Sequence, residues 1–240
     1  MKNKNYCVGG NMTIIILNGI FIIIGTLIGV FFGKALSKNM TESIIKILGI
    51  FVFIMGLKDA LTYKNGMYIA CYLVVGTIIG EKLDLDGKLK KLGEILQSKV
   101  KVKSEKNTIQ GFVTAVLIFC VGSMAILGPI KISLNNDGGI IYIKSILDGV
   151  MSIMLASTYG IGVIFSSAVV VIYQGMMFFM GSFLKLITEA SVMGDITSIG
   201  GVILAGLGLN LLFSEEKLKI TNILPAMFLP LITAFFTKII

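Results

Sequence analysis

Apolar residues run through this chain in blocks too long for the core of a small soluble domain, and polar residues are confined to the short gaps between them. The blocks predict helices at about 13–34, 43–62, 67–81, 109–130, 146–157, 161–186, 196–213 and 221–238. Most approach or exceed the ~20 apolar residues that carry a helix across a bilayer. The stretch Ile146–Gly175 holds a single charge, Asp148, and stays apolar to about Leu184. As one helix it would be ~55 Å long, against a hydrocarbon core of ~30 Å. The run Ser157–Gly162, "STYGIG", supplies two glycines and two hydroxyl residues where the backbone can break. The piece before it, Ile146–Ser157, is ~18 Å of helix and too short to cross unaided. It reads as a re-entrant half-helix or a tilted short span, and the alternative is one long kinked helix that protrudes. The chain then makes seven or eight passes. With eight, Ser214–Lys219 is cytoplasmic; with seven, it lies outside.

Composition agrees with this pattern. Hydrophobic residues make up 55% of the 240, mean hydropathy is +0.94, and the 28 glycines suit close helix packing in lipid. The fold class is all-α: a polytopic helical membrane protein forming one integral domain over 1–240. A first helical group spans 13–81, a basic amphipathic loop 82–106, and a second group 109–240. The first apolar run continues to Phe32 without a small-residue cleavage site, so it reads as an uncleaved span. Cys7, Cys71 and Cys120 share no metal-like spacing, and the chain has no histidine. No cofactor is expected.

The net charge of +8 is concentrated. Lys82–Lys106 carries eight lysines against four acids, which marks a cytoplasmic loop by the positive-inside rule rather than a nucleic-acid surface. Within it Leu85, Leu89, Leu92 and Leu96 recur at helical spacing, as in a helix lying on an anionic inner leaflet.

Ile44–Leu61 resembles Ile196–Phe213, with Ile44/Ile196, Ile47/Ile199, Gly49/Gly201, Gly56/Gly208 and Leu57/Leu209 identical, and Leu27–Phe32 resembles Gly160–Phe165. With eight passes the two halves have opposite orientation, the plan of an inverted-repeat transporter.

Polar groups inside spans are costly and mark function or pairing. Asp148 leads the candidates, as a cation or proton site or as a helix cap. Ser152, Ser157, Thr158, Ser166, Ser167 and Gln174 cluster around the break; Ser166, Ser167 and Gln174 share a helical face. Asn18 and Asn210 make the same demand for partners in the first span and in the span at 196–213. Hydroxyls that bond the preceding turn, and amides that bond across helices, are the structural alternative for each. Nothing supplies a general base, a metal cluster or a phosphate loop, so no enzyme is expected.

The segments "LNGIFIIIGTLIGVFFGK", "GFVTAVLIFCVGSMAILGPI", "KSILDGVMSIMLASTYGIGVIFSSAVVVIYQG" and "TNILPAMFLP" resemble the bacterial YdfK/YqgA-like membrane proteins, domain-of-unknown-function family 554. The resemblance runs from about Thr13 to the C-terminus and implies a bacterial inner-membrane protein of transporter type, with no substrate specified. The function expected is therefore a transporter or channel for a small solute or ion, lined by the segment after Asp148. The alternative is a non-transporting sensor or assembly partner that docks through Lys82–Lys106. Expected partners are the bilayer, the solute and, through the glycine-rich faces, a second copy of the chain; no nucleic acid is expected.

Overall fold

The computed structural model describes residues 8–100, 105–184, 190–213 and 218–239. Within them the chain forms α1 (Val8–Gly33), α2 (Lys38–Ala60), α3 (Gly66–Leu83), α4 (Leu85–Val100), α5 (Glu105–Cys120), α6 (Ser123–Asn135) and α7 (Gly139–Tyr159). A 3-10 helix, Gly160–Phe165, leads into α8 (Ser166–Leu184); α9 (Ala190–Phe213), a second 3-10 helix at Ile220–Phe228 and α10 (Leu229–Ile239) complete the described chain. Among the described residues there is no β-strand.

Five helical stretches are long and apolar enough to cross a membrane. A sixth arises if Thr108–Cys120 and Ser123–Asn135, bent by 55°, count as one span. That is fewer than the seven or eight read from the sequence. One of the five is Gly139–Gly181, 43 residues containing α7 and most of α8.

The puzzle of that overlong run resolves differently from expectation. The piece before the break is not short: α7 starts at Gly139, seven positions before Ile146, and its 21 residues give ~32 Å, a full bilayer core. Its regular helix ends at Gly160, whose φ of 78° suits glycine and few other residues. The 3-10 helix then turns the chain back. Facing residues establish the reversal: Gly25, Gly29 and Gly33 of α1 meet Gly149, Ile153 and Ser157 in the same order, whereas Gly19 meets Val171 and Met12 meets Gly175 in the opposite order. So α7 runs parallel to α1 and α8 antiparallel to it.

The 109–130 segment holds a second break, which the sequence reading missed. α5 stops at Cys120, and Gly122, at φ 118°, starts α6 with no side-chain cap. Glycine is again required because β-carbons disfavour that conformation. In the last segment, Pro225 sits within the 3-10 helix rather than in an α-helix it would disrupt. The paired hexapeptides also differ in structure: Leu27–Phe32 is regular α1, and Gly160–Phe165 is 3-10 helix.

Glycine spacing decides which helices touch. α1 packs along α7 and α2 along α9, and glycines line both seams. A Cβ on Gly25 would overlap the Gly149 carbonyl oxygen, and one on Gly56 would lie 2.7 Å from that of Gly201. α2 and α9 are antiparallel, and their contacts are reciprocal. Gly49 faces the Leu212 amide as Gly201 faces that of Ala60; Gly56 faces Ala205 as Gly208 faces Phe53. α3 packs antiparallel to the chain's end, with Gly76 against Ala226, Gly80 against Asn222, and Tyr72 Oη 2.8 Å from Thr233 Oγ1. Large apolar side chains such as Phe31, Ile54, Ile146 and Phe179 stay exposed on the outside of the bundle. That is the surface a lipid-embedded protein presents.

α4 is amphipathic, with the leucine stripe only partly covered by the bundle. Leu92 is exposed, and Leu85, Leu89 and Leu96 are half-buried, while Asp86, Gly93 and Gln97 are buried. Gly93 admits the Phe112 ring of α5.

Candidate functional site

α7 presents one face to the bundle at helical spacing: Ile141, Lys144, Ser145, Asp148, Gly149, Ser152, Leu155 and Ala156 are buried, and Tyr142, Ile143, Ile146, Leu147 and Val150 are exposed. The inward stripe carries an ion pair. Lys144 Nζ lies 2.8 Å from Asp148 Oδ1 and 2.7 Å from Oδ2, and the two residues are 6% and 5% exposed. Four residues apart, they share a face of the helix and meet one turn apart. Asn18 Nδ2 of α1 donates to Asp148 Oδ2 at 3.1 Å, and the Lys144 amine stands 6.0 Å from the centroid of the Phe119 ring, at the outer limit of a cation–π contact.

Such a pair is expensive to bury, and its mutual attraction offsets the cost only when the remaining polar atoms are satisfied. Two amides nearby leave that condition unmet. Asn18 Oδ1 has no hydrogen-bond partner, and neither Oε1 nor Nε2 of Gln174 has one, with both side chains 0% exposed. The α1–α8 register places Gln174 between the levels of Val171, opposite Gly19, and Gly175, opposite Met12, so it lies within about a turn of Asn18. Each unpaired buried amide group costs about 1–3 kcal/mol. Buried polar atoms without partners are exceptional in folded proteins, which makes the neighbourhood of Asn18 and its charged partner the candidate site.

The hydroxyls around the break are placed otherwise. Ser152 donates to the Asp148 carbonyl (2.7 Å), Ser157 to Met154 (2.8 Å), Thr158 to Leu155 (2.8 Å), Ser166 to Val163 (2.7 Å) and Ser167 to Ile164 (2.7 Å). All five satisfy themselves on the preceding turn, the ordinary arrangement in apolar helices. Asn210 is not brought to Asn18: its amide donates to the Leu218 carbonyl at 2.7 Å and accepts from the Leu218 amide, closing the turn after α9.

A second polar cluster lies where α3 ends, α4 begins and the last 3-10 helix starts. The Asp86 backbone amide donates to Asn222 Oδ1 at 2.8 Å, and the Asp86 carboxylate is 3.1 Å from Lys90 Nζ. Asp86, Lys90, Gln110, Thr114, Asn210 and Thr221 contribute to the wall of a cavity of about 50 Å³. That is room for a few waters. Thr221 Oγ1, in that wall, and Asn222 Nδ2 are buried without a partner. The two clusters sit at different depths in the bundle: Asn18 and Asp148 are near the middle of α1 and α7, and Asp86 follows the end of α3, which runs parallel to α1. α5 links them, with Gln110 and Thr114 at the cavity and Phe119 beside Lys144.

Sequence reasoning found Asp148, Asn18 and Gln174 but missed Lys144, although its i,i+4 spacing to Asp148 was in plain sight. A helix begun at Ile146 leaves Lys144 in the loop. The Asp86–Asn222 contact joins residues 136 positions apart, and no local pattern announces it.

Comparison with known proteins places the chain among relatives of matching length. It is 29% identical over 225 residues to Uncharacterized membrane protein YdfK of Bacillus subtilis (strain 168), covering 92% of this chain and 94% of that one. It is 23% identical over 217 residues to Uncharacterized protein YqgA of Escherichia coli (strain K12), covering 89% and 92%. No solved structure matches it. Residues 13–235 match the family described as "Protein of unknown function (DUF554)", and the chain belongs to that family.

Proposed function

We propose that this protein is a bacterial inner-membrane transporter for a small polar solute or ion, built as an inverted repeat and carrying out no enzymatic step. The observation that carries the reading is the buried Lys144–Asp148 pair, bonded to an Asn18 amide whose oxygen has no partner, with the unpartnered Gln174 amide about a turn of α1 from Asn18. A purely structural pair has no use for unsatisfied neighbours; a solute site does.

The reciprocal α2–α9 contacts support the repeat. Gly49 and Gly201 are 152 positions apart, as are Gly56 and Gly208, and each makes with the opposite helix the contact its counterpart makes. A two-fold axis lying in the membrane plane produces that reciprocity. The same offset relates Gly19 to Val171, which touch each other, as residues on such an axis must. α1, α2 and α3 then correspond to α8, α9 and the final 3-10 helix with α10. The hexapeptide pairing of Leu27–Phe32 with Gly160–Phe165 does not share this offset and is set aside.

Helix directions fit eight crossings, with α5 and α6 forming one broken span and α7 and α8 crossing separately. The lysine-rich α4 is then cytoplasmic by the positive-inside rule. The Asp86–Thr221 cavity becomes the cytoplasmic vestibule, and the Lys144–Asp148 pair lies near the middle of the membrane, on the outer side of that cavity. Rocking of one repeat against the other would open each end in turn. Because Lys144 already neutralises Asp148, the simplest cargo is one that exchanges with this pairing, such as a proton or a solute bearing its own charge. α4 packs into the bundle through Gly93 and Asp86, which favours transport over a detached docking arm.

The test is the reactivity of single cysteines at Asn18, Gln174 and Thr221, in a background lacking the native cysteines, with a membrane-impermeant thiol reagent on each side of sealed vesicles. Transport predicts labelling of Thr221→Cys from the cytoplasmic face and of Asn18→Cys from the outer face. Folded protein that labels at exposed control positions and at none of these three would overturn the reading.

A further inference from the structure

An apolar groove of about 510 Å³ opens on the side of the bundle between α4, α5, α8 and the last 3-10 helix. Leu85, Leu89 and Leu92 form one wall, and Tyr173, Pro225 and Phe228 stand across from it. One residue in its lining is a cation: Lys88, fully on the exposed side of α4. The opposite end of the groove reaches Cys120, where α5 breaks.

We propose that this groove is a binding site for an anionic phospholipid, its acyl chain against the leucines and its headgroup phosphate on Lys88. Three features fix the occupant. The walls are apolar along their length, which excludes a polar solute. The charge in the lining is single, positive and exposed, on Lys88, which suits an anionic headgroup. The depth matches one leaflet: Thr221 and Phe228, both in the lining, are separated by ~14 Å of 3-10 helix at ~2.0 Å per residue, about half of a ~30 Å core. A chain lying beside α4 therefore ends near the middle of the membrane, at Cys120 and Tyr173.

The leucine stripe of α4 acquires a purpose from this. A helix that only rested on the bundle would turn its leucines inward. Here Asp86 and Gln97 are buried instead, and the leucines are left to line a groove open to the membrane. The inference requires only that the bundle sits in a bilayer; it stands or falls independently of transport.

The chain contains no tryptophan, so one introduced in the groove is a sole reporter. Leu89→Trp protein in bilayers is titrated with phosphatidylglycerol or phosphatidylcholine carrying brominated acyl chains, which quench tryptophan on contact. The expected result is tighter association of the anionic lipid by about fivefold, the weight of one lysine at an anionic surface. Lys88→Gln in the same background abolishes the preference, and Ile54→Trp, on the exposed face of α2, has none to lose. Equal quenching by both lipids at Leu89→Trp overturns the headgroup assignment. Preference that survives Lys88→Gln overturns the role of Lys88. Absence of quenching by either lipid means that the groove is closed or filled by protein, and overturns the site.

Discussion

Replacing Lys144 by methionine isolates the charge of the buried pair from its packing. Methionine keeps an unbranched stem of similar length, so the volume of the side chain is largely retained. What is lost is the partner at 2.7–2.8 Å from both carboxylate oxygens of Asp148. The carboxylate, 5% exposed, is left with the single Asn18 donor at 3.1 Å. Breaking a pair buried to this extent costs about 3–5 kcal/mol, whereas replacing both charges by apolar groups of similar volume is often neutral or stabilising. Lys144→Met should therefore lower the apparent Tm by roughly 6–20 °C, at ~2–4 °C per kcal/mol for a chain of this size. Adding Asp148→Leu should recover most of that loss. The control is Lys219→Met. Lys219 stands 3.6 Å from Glu81 with both side chains about half exposed, where an ion pair contributes at most about 1 kcal/mol. The assay is loss of helical circular dichroism on heating in a fixed detergent, with all variants at one scan rate. The reasoning fails if Lys144→Met melts with the Lys219→Met control, or if the double variant loses as much as the two single losses added. The recovered double variant is also the right protein for a functional comparison, since its fold is intact and its charge pair is gone.

Four further outcomes follow from the geometry. Gln174→Leu removes two unpartnered buried polar atoms, so it should raise stability by about 1–3 kcal/mol, read by the same melt; a loss of stability would mean that the amide is satisfied by bound water. Gly25→Ala would drive a Cβ into the Gly149 carbonyl and should cost about 1–3 kcal/mol, whereas Gly175→Ala, whose Cβ would meet only Met12 Cε at 3.9 Å, should cost far less. Under a two-fold repeat, Gly56→Ala and Gly208→Ala make equivalent clashes and should shift Tm equally; unequal shifts greater than the reproducibility of the melt would count against the symmetry. Asn222→Leu should destabilise by about 1–3 kcal/mol, because it strands the Asp86 amide that now donates to Asn222 Oδ1, and hydrogen exchange at the start of α4 should quicken with it.

What the sequence made legible follows the range over which each signal acts. Apolar blocks report on their own helices, so membrane-length segments were readable wherever one block is one helix, as for α1, α2, α3 and α9. Breaks were readable only where polar residues advertise them. "STYGIG" does so and contains the true turn, but Gly122 sits in "FCVGSMAIL", where a glycine among apolar residues looks like helix packing. The start of α7 was misplaced because Lys144 interrupts the hydrophobic run, although a lysine can enter one if it brings its own counter-ion. The hydroxyl cluster was overread for a related reason: sequence shows that a hydroxyl is present in a span and not whether its own preceding turn satisfies it. The unpartnered groups that distinguish the candidate site, on Gln174, Asn18 and Thr221, are defined by what surrounding helices fail to provide, and so become visible only in the packed bundle.

The placement of charge in this bundle bears on how it would work. Each polar cluster contains one acid and one lysine four residues beyond or before it on the same helix, Asp86 with Lys90 and Lys144 with Asp148. Pairing within a helix matters mechanically. An ion pair bridging two helices would have to break whenever those helices moved apart, at a cost of about 3–5 kcal/mol if it were buried. A pair carried on one helix moves as a unit, and only the weaker links to neighbours, Asn18 to Asp148 and Asn222 to the Asp86 amide, must change. The seams that would slide, α1 on α7 and α2 on α9, come together at their closest points through glycine and backbone. If the bundle transports as proposed, this arrangement would keep its charges neutralised while the helices shift, so that no step exposes an unpaired charge to lipid.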